Sequence, residues 1–173
     1  MVITMKTPIS PRRSASRPAG FIVRVLLVGL AMMVASPAPA QVDDPYKKAG
    51  DVAVYLGVLS AQIVRGHPAG HPERTMHGGA PSGEHEYHVV TAVFDATSGD
   101  RVSDAAVAMT VSGLGHVGGT RRTLAPMTMA GVVTYGAFVS LPGSDRYEIV
   151  VEIKRSGRNA PEKVQFTYLH SVR

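Results

Sequence analysis

The sequence predicts an all-β domain, an immunoglobulin-like antiparallel β-sandwich of about seven strands, preceded by an N-terminal signal peptide. Three observations predict it. Beyond Asp51, short apolar runs recur between clusters of Gly, Pro, Asp and Ser. The clearest of them, Tyr147-Glu-Ile-Val-Val-Glu-Ile-Lys154, alternates with the period of two that half-buries a strand, so that Tyr147, Ile149, Val151 and Ile153 share one face. No stretch after residue 51 carries an apolar stripe at helical spacing long enough to specify an ordinary helix.

The elements follow in order. Residues 1–40 read as an export signal: a basic, acid-free stretch to Arg24, an apolar run to Ala35, then Ser36-Pro-Ala-Pro-Ala40 as a small-residue cleavage site. The apolar run is about half the ~20 residues that a membrane-spanning helix needs, so it reads as the core of a signal peptide, with an uncleaved N-terminal anchor as the alternative. Residues 41–50 are expected to be a linker and 51–173 the sandwich. Strands are expected at 52–64, 87–94, 105–111, 132–141, 147–154 and 163–170, with a short one at 122–124. In the first of these, Tyr55, Leu59 and Ile63 also recur at helical spacing. Thr97-Ser-Gly-Asp100, Leu141-Pro-Gly-Ser-Asp145 and Ser156-Gly-Arg-Asn159 supply turn chemistry between the runs. Residues 66–86, with four His, five Gly and three Pro, are expected to form a long irregular His-rich loop.

Composition narrows the function. The 173 residues include no Cys and no Trp, which excludes a thiol nucleophile, an iron–sulfur cluster and a thiolate zinc site. His, Met and carboxylates remain as metal ligands. Five of the 18 Lys and Arg and none of the 13 Asp and Glu fall within residues 1–40, so the rest of the chain is balanced at 13 of each. A balanced domain lacks the basic face that nucleic acid requires. Gly113-Leu-Gly-His-Val-Gly118 matches a dinucleotide fingerprint in letters only, because Pro126 follows where a helix would have to run, and a Gly-rich hairpin loop is expected instead. No Gly-x-Ser-x-Gly and no His-Glu-x-x-His occurs, and the chain is expected not to be an enzyme.

The His and Met residues cluster. Six of the seven His precede Gly118: His67, His71, His77, His85, His88 and His116. Pro68, Gly70 and Pro72 forbid a helix that would stack His67 on His71. His85 and His88 are three apart and converge only if His85 lies outside the strand. His88 shares parity with Val90, Ala92 and Phe94 and is expected to point inward; His170 shares parity with Phe166 and Tyr168. Met127 and Met129 share a side if the backbone is extended there. Thioether with imidazole suits copper, above all Cu(I). Two readings stay open on the residues: a metal site drawn from His77, His85, His88, His170, Met127 and Met129, or methionines that fill core gaps beside solvated histidines.

The string Ala125-Pro-Met-Thr-Met-Ala-Gly-Val-Val-Thr-Tyr-Gly136, continuing to Leu141-Pro-Gly143 and Arg146-Tyr-Glu-Ile-Val-Val-Glu-Ile153, resembles the periplasmic iron-transport proteins that accompany high-affinity iron permeases. His88-Val-Val-Thr-Ala-Val-Phe-Asp95 is similar to that family's His-Leu-Glu-Ala-Asp-Ile-His strand. The resemblance covers roughly residues 52–154. It implies a periplasmic sandwich, often dimeric, that binds copper or iron beside an inner-membrane permease. It maps the family's strand His onto His88 and the second Met of its Met-Pro-Met run onto Met127. The family's Glu becomes Val90 and the His of its Pro-His-Tyr-Gly becomes Thr134. Asp95-Ala-Thr-Ser-Gly-Asp-Arg-Val-Ser-Asp-Ala105 is more distantly similar to YtkA-type periplasmic sandwich domains. The expected function is periplasmic binding of copper or iron, accessory to metal uptake or homeostasis. The alternative is a metal-free structural or interaction module that contacts an envelope protein.

Overall fold

The computed structural model describes residues 41–113 and 118–171. The expected export signal, His116 and most of the Gly-rich hairpin loop lie outside the described residues. Nine strands and two short helices follow in chain order: β1 (Gln41–Val42), β2 (Tyr46–Ala49), β3 (Val52–Ser60), α1 (Ala61–Gly66), α2 (Pro72–Thr75), a 3-10 turn at Met76–Gly78, β4 (Glu86–Asp95), β5 (Ala106–Gly113), β6 (Thr120–Met129), β7 (Val132–Ser140), β8 (Asp145–Lys154) and β9 (Glu162–His170). All pairings are antiparallel, in the order β1-β9-β8-β5-β6-β7-β4-β3-β2. Among the described residues no helix is long and apolar enough to cross a membrane.

The sheet folds over on itself at β6. Residues 120–124 pair with β5 and residues 125–129 with β7, so one strand belongs to both layers. Pro126, which has no N–H to donate, sits one residue past the change of partner. The expected short strand at 122–124 is therefore the middle of a ten-residue one. It is hidden in the sequence because the two halves serve different sheets and share no single alternation.

The core fills the space between the layers. Val107, Met109 and Val111 of β5, Ile149, Val151 and Ile153 of β8 and Phe166 of β9 face Val54, Val89, Val93, Tyr135 and Val139 of the opposite layer. Each fully buried aliphatic side chain contributes about 1.5–3 kcal/mol. Tyr135 also ties the layer edge, since its hydroxyl accepts from Ala105 N and donates to the Val102 carbonyl, each at 3.1 Å. The expected strand at 147–154 is β8, flanked by β5 and β9, with Tyr147, Ile149, Val151 and Ile153 buried.

Three expectations need correction. Residues 41–50 are not a linker: β1 adds to β9 and β2 to β3 as the two edges of the sheet. Tyr46 packs on Tyr55 at 4.6 Å, and Leu56 N donates to the Pro45 carbonyl, contacts that segments of two and four residues cannot announce by alternation. The strand expected at 52–64 ends at Ser60, whose hydroxyl caps α1 by accepting from Ile63 N at 3.3 Å. Within α1 the buried side chains are Ala61 and Val64, while Ile63 is exposed, so the helical spacing of Tyr55, Leu59 and Ile63 does not mark the helix's buried face. The stretch at 66–86 is only partly irregular, since it contains α2 and the 3-10 turn.

Candidate metal centre

Along β4 the alternation is strict. Val89, Thr91 and Val93 are buried toward the other layer, which puts His88, Val90, Ala92 and Phe94 on the outer face. The inward orientation expected for His88 is thus reversed. His88 is nonetheless 0% exposed, because the chain from α1 to the 3-10 turn folds back over this face: α1 packs on β3 and β4, and α2 on β6.

Register builds the pocket from three adjacent strands. Across the β4–β7 pair His88 stands opposite Phe138 and Val90 opposite Gly136; across β6–β7, Ala125 stands opposite Gly136 and Met127 opposite Thr134. Gly136 is consequently diagonal to both His88 and Met127. It has no side chain, and the space is used: a Cβ there would lie 2.6 Å from His88 Nε2 and 3.2 Å from Met127 Cε. The His88 ring and the terminal methyl of the Met127 side chain therefore approach each other over one glycine. Met127 is 7% exposed yet belongs to no part of the sandwich core.

His77 comes from the 3-10 turn. Its backbone is in the left-handed region, φ 54°, a conformation that costs a non-glycine residue energy and is held here between the turn and Gly78. Its ring centroid lies 6.2 Å from those of His88 and Phe138, while the His88 and Phe138 rings are 4.7 Å apart.

The electrostatics follow from burial. Neither ring nitrogen of His88 has a hydrogen-bond partner among the described residues, although an imidazole always carries at least one N–H and buried polar groups are ordinarily paired. Burial, reinforced by His77, pushes the His88 pKa down to about 4. Burial also lowers that of His77, with hydrogen bonding to the Gly136 main chain opposing it. Thr134 Oγ1, on the same face as Met127, is another buried polar atom without a partner among the described residues. A pocket with two orphaned imidazole nitrogens, a thioether and a second imidazole at its mouth fits a soft monovalent ion.

The other candidate ligands lie elsewhere. Met129, two residues along β6, lines a separate hollow of about 510 Å3 on the same outer face, together with His67, His71 and Glu73. His85 sits in the turn before β4, where its carbonyl accepts from Leu141 N. His170 is buried on the interior side, among Tyr87, Tyr147 and Tyr168. Its Nδ1 donates to the Gly143 carbonyl, so in the neutral ring Nε2 accepts from the Tyr87 hydroxyl, both at 2.5 Å. With both nitrogens satisfied and the sheet between them, His170 does not close the His88 pocket. Gly136 and Phe138 shape that pocket without any signal in the sequence beyond the register that delivers them.

No family of related sequences matches the chain, and no curated protein matches it. Solved structures do. FetP of uropathogenic Escherichia coli strain F11, expressed in the periplasm, is similar over 78% of this chain and 97% of its own at 12% identity, with a TM-score of 0.57. Copper-reconstituted P19 of Campylobacter jejuni is similar over 78% of this chain and 98% of its own, at 14% identity and a TM-score of 0.57. A DUF4426 family protein of Pseudomonas aeruginosa is similar over 74% and 97%, at 12% and 0.52. The chain shares their fold.

Proposed function

We propose that this is an exported, non-enzymatic metal-binding protein whose His88, Met127 and His77 hold Cu(I) for storage or transfer in the periplasm. The observation that carries the reading is the buried His88 imidazole with both nitrogens unpaired, facing the Met127 thioether over Gly136. An unpaired imidazole at 0% exposure is costly unless something coordinates it. Copper is preferred to iron because Val90 and Thr134 stand where the resembling family has a carboxylate and an imidazole, which leaves a nitrogen and sulfur set softer than Fe(II) favours. The periplasmic setting draws support from the signal-like residues 1–40 and from FetP, a protein of the same fold expressed in the periplasm; the copper-reconstituted protein of the same fold supports the metal. An inner-membrane permease would be the receiving partner.

Met127→Leu tests this directly. The change keeps the volume and removes the sulfur, so stability should change by less than about 1.5 kcal/mol while Cu(I) affinity falls at least ~10-fold in an anaerobic competition titration. Unchanged Cu(I) affinity, or no Cu(I) bound by the wild type, would leave the interaction-module reading in its place.

Acidification gives a second test. The folded state holds His88 neutral to about pH 4, whereas the unfolded chain takes up the proton near the ordinary 6.5. Stability of the metal-free protein from this group is therefore full above about pH 6.5 and declines as pH falls toward 4, by on the order of 3 kcal/mol. Cu(I) affinity should survive pH 6 and collapse only as pH approaches 4, lower than a solvated imidazole would allow. Urea denaturation and Cu(I) titration across pH 4–7 measure both. A loss of affinity centred near 6.5 would mean that a solvated histidine, not His88, carries the metal.

A further inference from the structure

Outside the His88 pocket, three ligand-type side chains converge on the α1–α2 connection. His67 follows the last residue of α1, His71 precedes Pro72 at the start of α2, and Glu73 lies within α2. The turn between them is pinned: His67 N donates to the Val64 carbonyl, His71 N to the Pro68 carbonyl, and Arg74 Nη1 to the His67 carbonyl at 2.8 Å. This turn achieves what the prolines deny to a helix, bringing the His67 and His71 rings to 4.3 Å between centroids. One ligand atom from each of His67, His71 and Glu73 lies within 4.8 Å of the others.

The groups are also short of partners. Glu73 is 4% exposed, and its only ion-pair partner among the described residues is His67, whose Nδ1 is 3.2 Å from Oε2 but out of line for a hydrogen bond. Nδ1 of His71 is likewise buried and unpaired. A carboxylate buried this deeply with no Lys or Arg beside it is one that a bound cation would stabilise. The three groups open onto the hollow of about 510 Å3 that Met129 also lines, which gives an ion a way in.

We infer that His67, His71 and Glu73 form a second metal site, separate from the His88 pocket, that takes a divalent first-row ion. Two imidazoles and a carboxylate are a borderline donor set that suits Zn(II) or Cu(II) rather than Cu(I). Donors held about 2.0–2.1 Å from a tetrahedral ion stand about 3.3 Å apart, so no gap has to close by more than about 1.5 Å. His71, partly exposed and next to Gly70, is the side chain able to swing. Met127 and Met129 lie on one face of β6, so the two sites adjoin the same outer face of that strand, one soft and one borderline.

This inference does not depend on the Cu(I) reading, and one set of variants separates them. Zn(II) is the redox-silent probe, titrated into the full chain against a chromophoric chelator. Wild type should bind Zn(II), and His71→Gln and Glu73→Gln should each weaken it at least 10-fold while leaving Cu(I) affinity within twofold. His77→Ala should do the reverse. If Glu73→Gln fails to fold, His71→Gln, at a partly exposed position, carries the test. The inference is overturned if wild type binds no Zn(II), or if Zn(II) affinity follows His77→Ala and ignores His71→Gln.

Discussion

Replacing Val151 with Asp is expected to unfold the domain. Val151 is 0% exposed at the centre of β8, opposite Met109 on one side and Val164 on the other, all within the core between the layers. A carboxylate there has no cation and no donor to meet it, and burying an unpaired charge costs on the order of 3 kcal/mol or more against a total stability of about 5–15. The control is one residue away. Val150 points to the outer face between Thr110 and Gln165, so Val150→Asp should cost less than about 1 kcal/mol. Urea melts of the pair read the register: if the two variants melt alike, the alternation of β8 has been assigned to the wrong face.

Gly136→Ala is expected to abolish tight Cu(I) binding while leaving a folded protein. The added methyl would sit 2.6 Å from His88 Nε2, closer than atoms can pack, and a tight 3.2 Å from Met127 Cε, so the imidazole must turn away and the methionine must give slightly. Overpacking of this kind costs about 1–3 kcal/mol, a tolerable loss for the fold. For the metal it is decisive, because the methyl fills the space over which the His88 ring nitrogen and the end of the Met127 side chain approach each other. Cu(I) affinity should fall at least ~100-fold, more than for Met127→Leu, since two ligands are displaced rather than one lost. Wild-type Cu(I) affinity in Gly136→Ala would show that the ion does not bind between His88 and Met127.

Much of the sandwich was legible in the chain. The period-two runs that became β4, β5, β7, β8 and β9 were readable because each has one face in the core, which makes the alternation a direct imprint of burial. The edge strands β1 and β2 and the second half of β6 left no such imprint: the edges are too short, and β6 changes partner partway along.

The candidate site divides along the same line. His88 and Met127 stood out by residue type and by resemblance, and parity correctly grouped His88 with Val90, Ala92 and Phe94. Parity states which residues share a face; it does not say whether that face looks inward. That was decided by the other layer, which covers Val89 and Val93, and by the segment from α1 to the 3-10 turn, which covers His88 from outside. His170 illustrates the converse, a histidine whose ring nitrogens are satisfied by Gly143 and Tyr87 from distant parts of the chain. By itself the sequence determined the core strands β4, β5, β7, β8 and β9, their turns and the donor atoms available, because those depend on local periodicity and on side-chain chemistry. Only the tertiary structure decided which donors meet, because convergence over Gly136, or at His67, His71 and Glu73, depends on strand register and on a pinned non-helical turn, and neither leaves a period in the sequence.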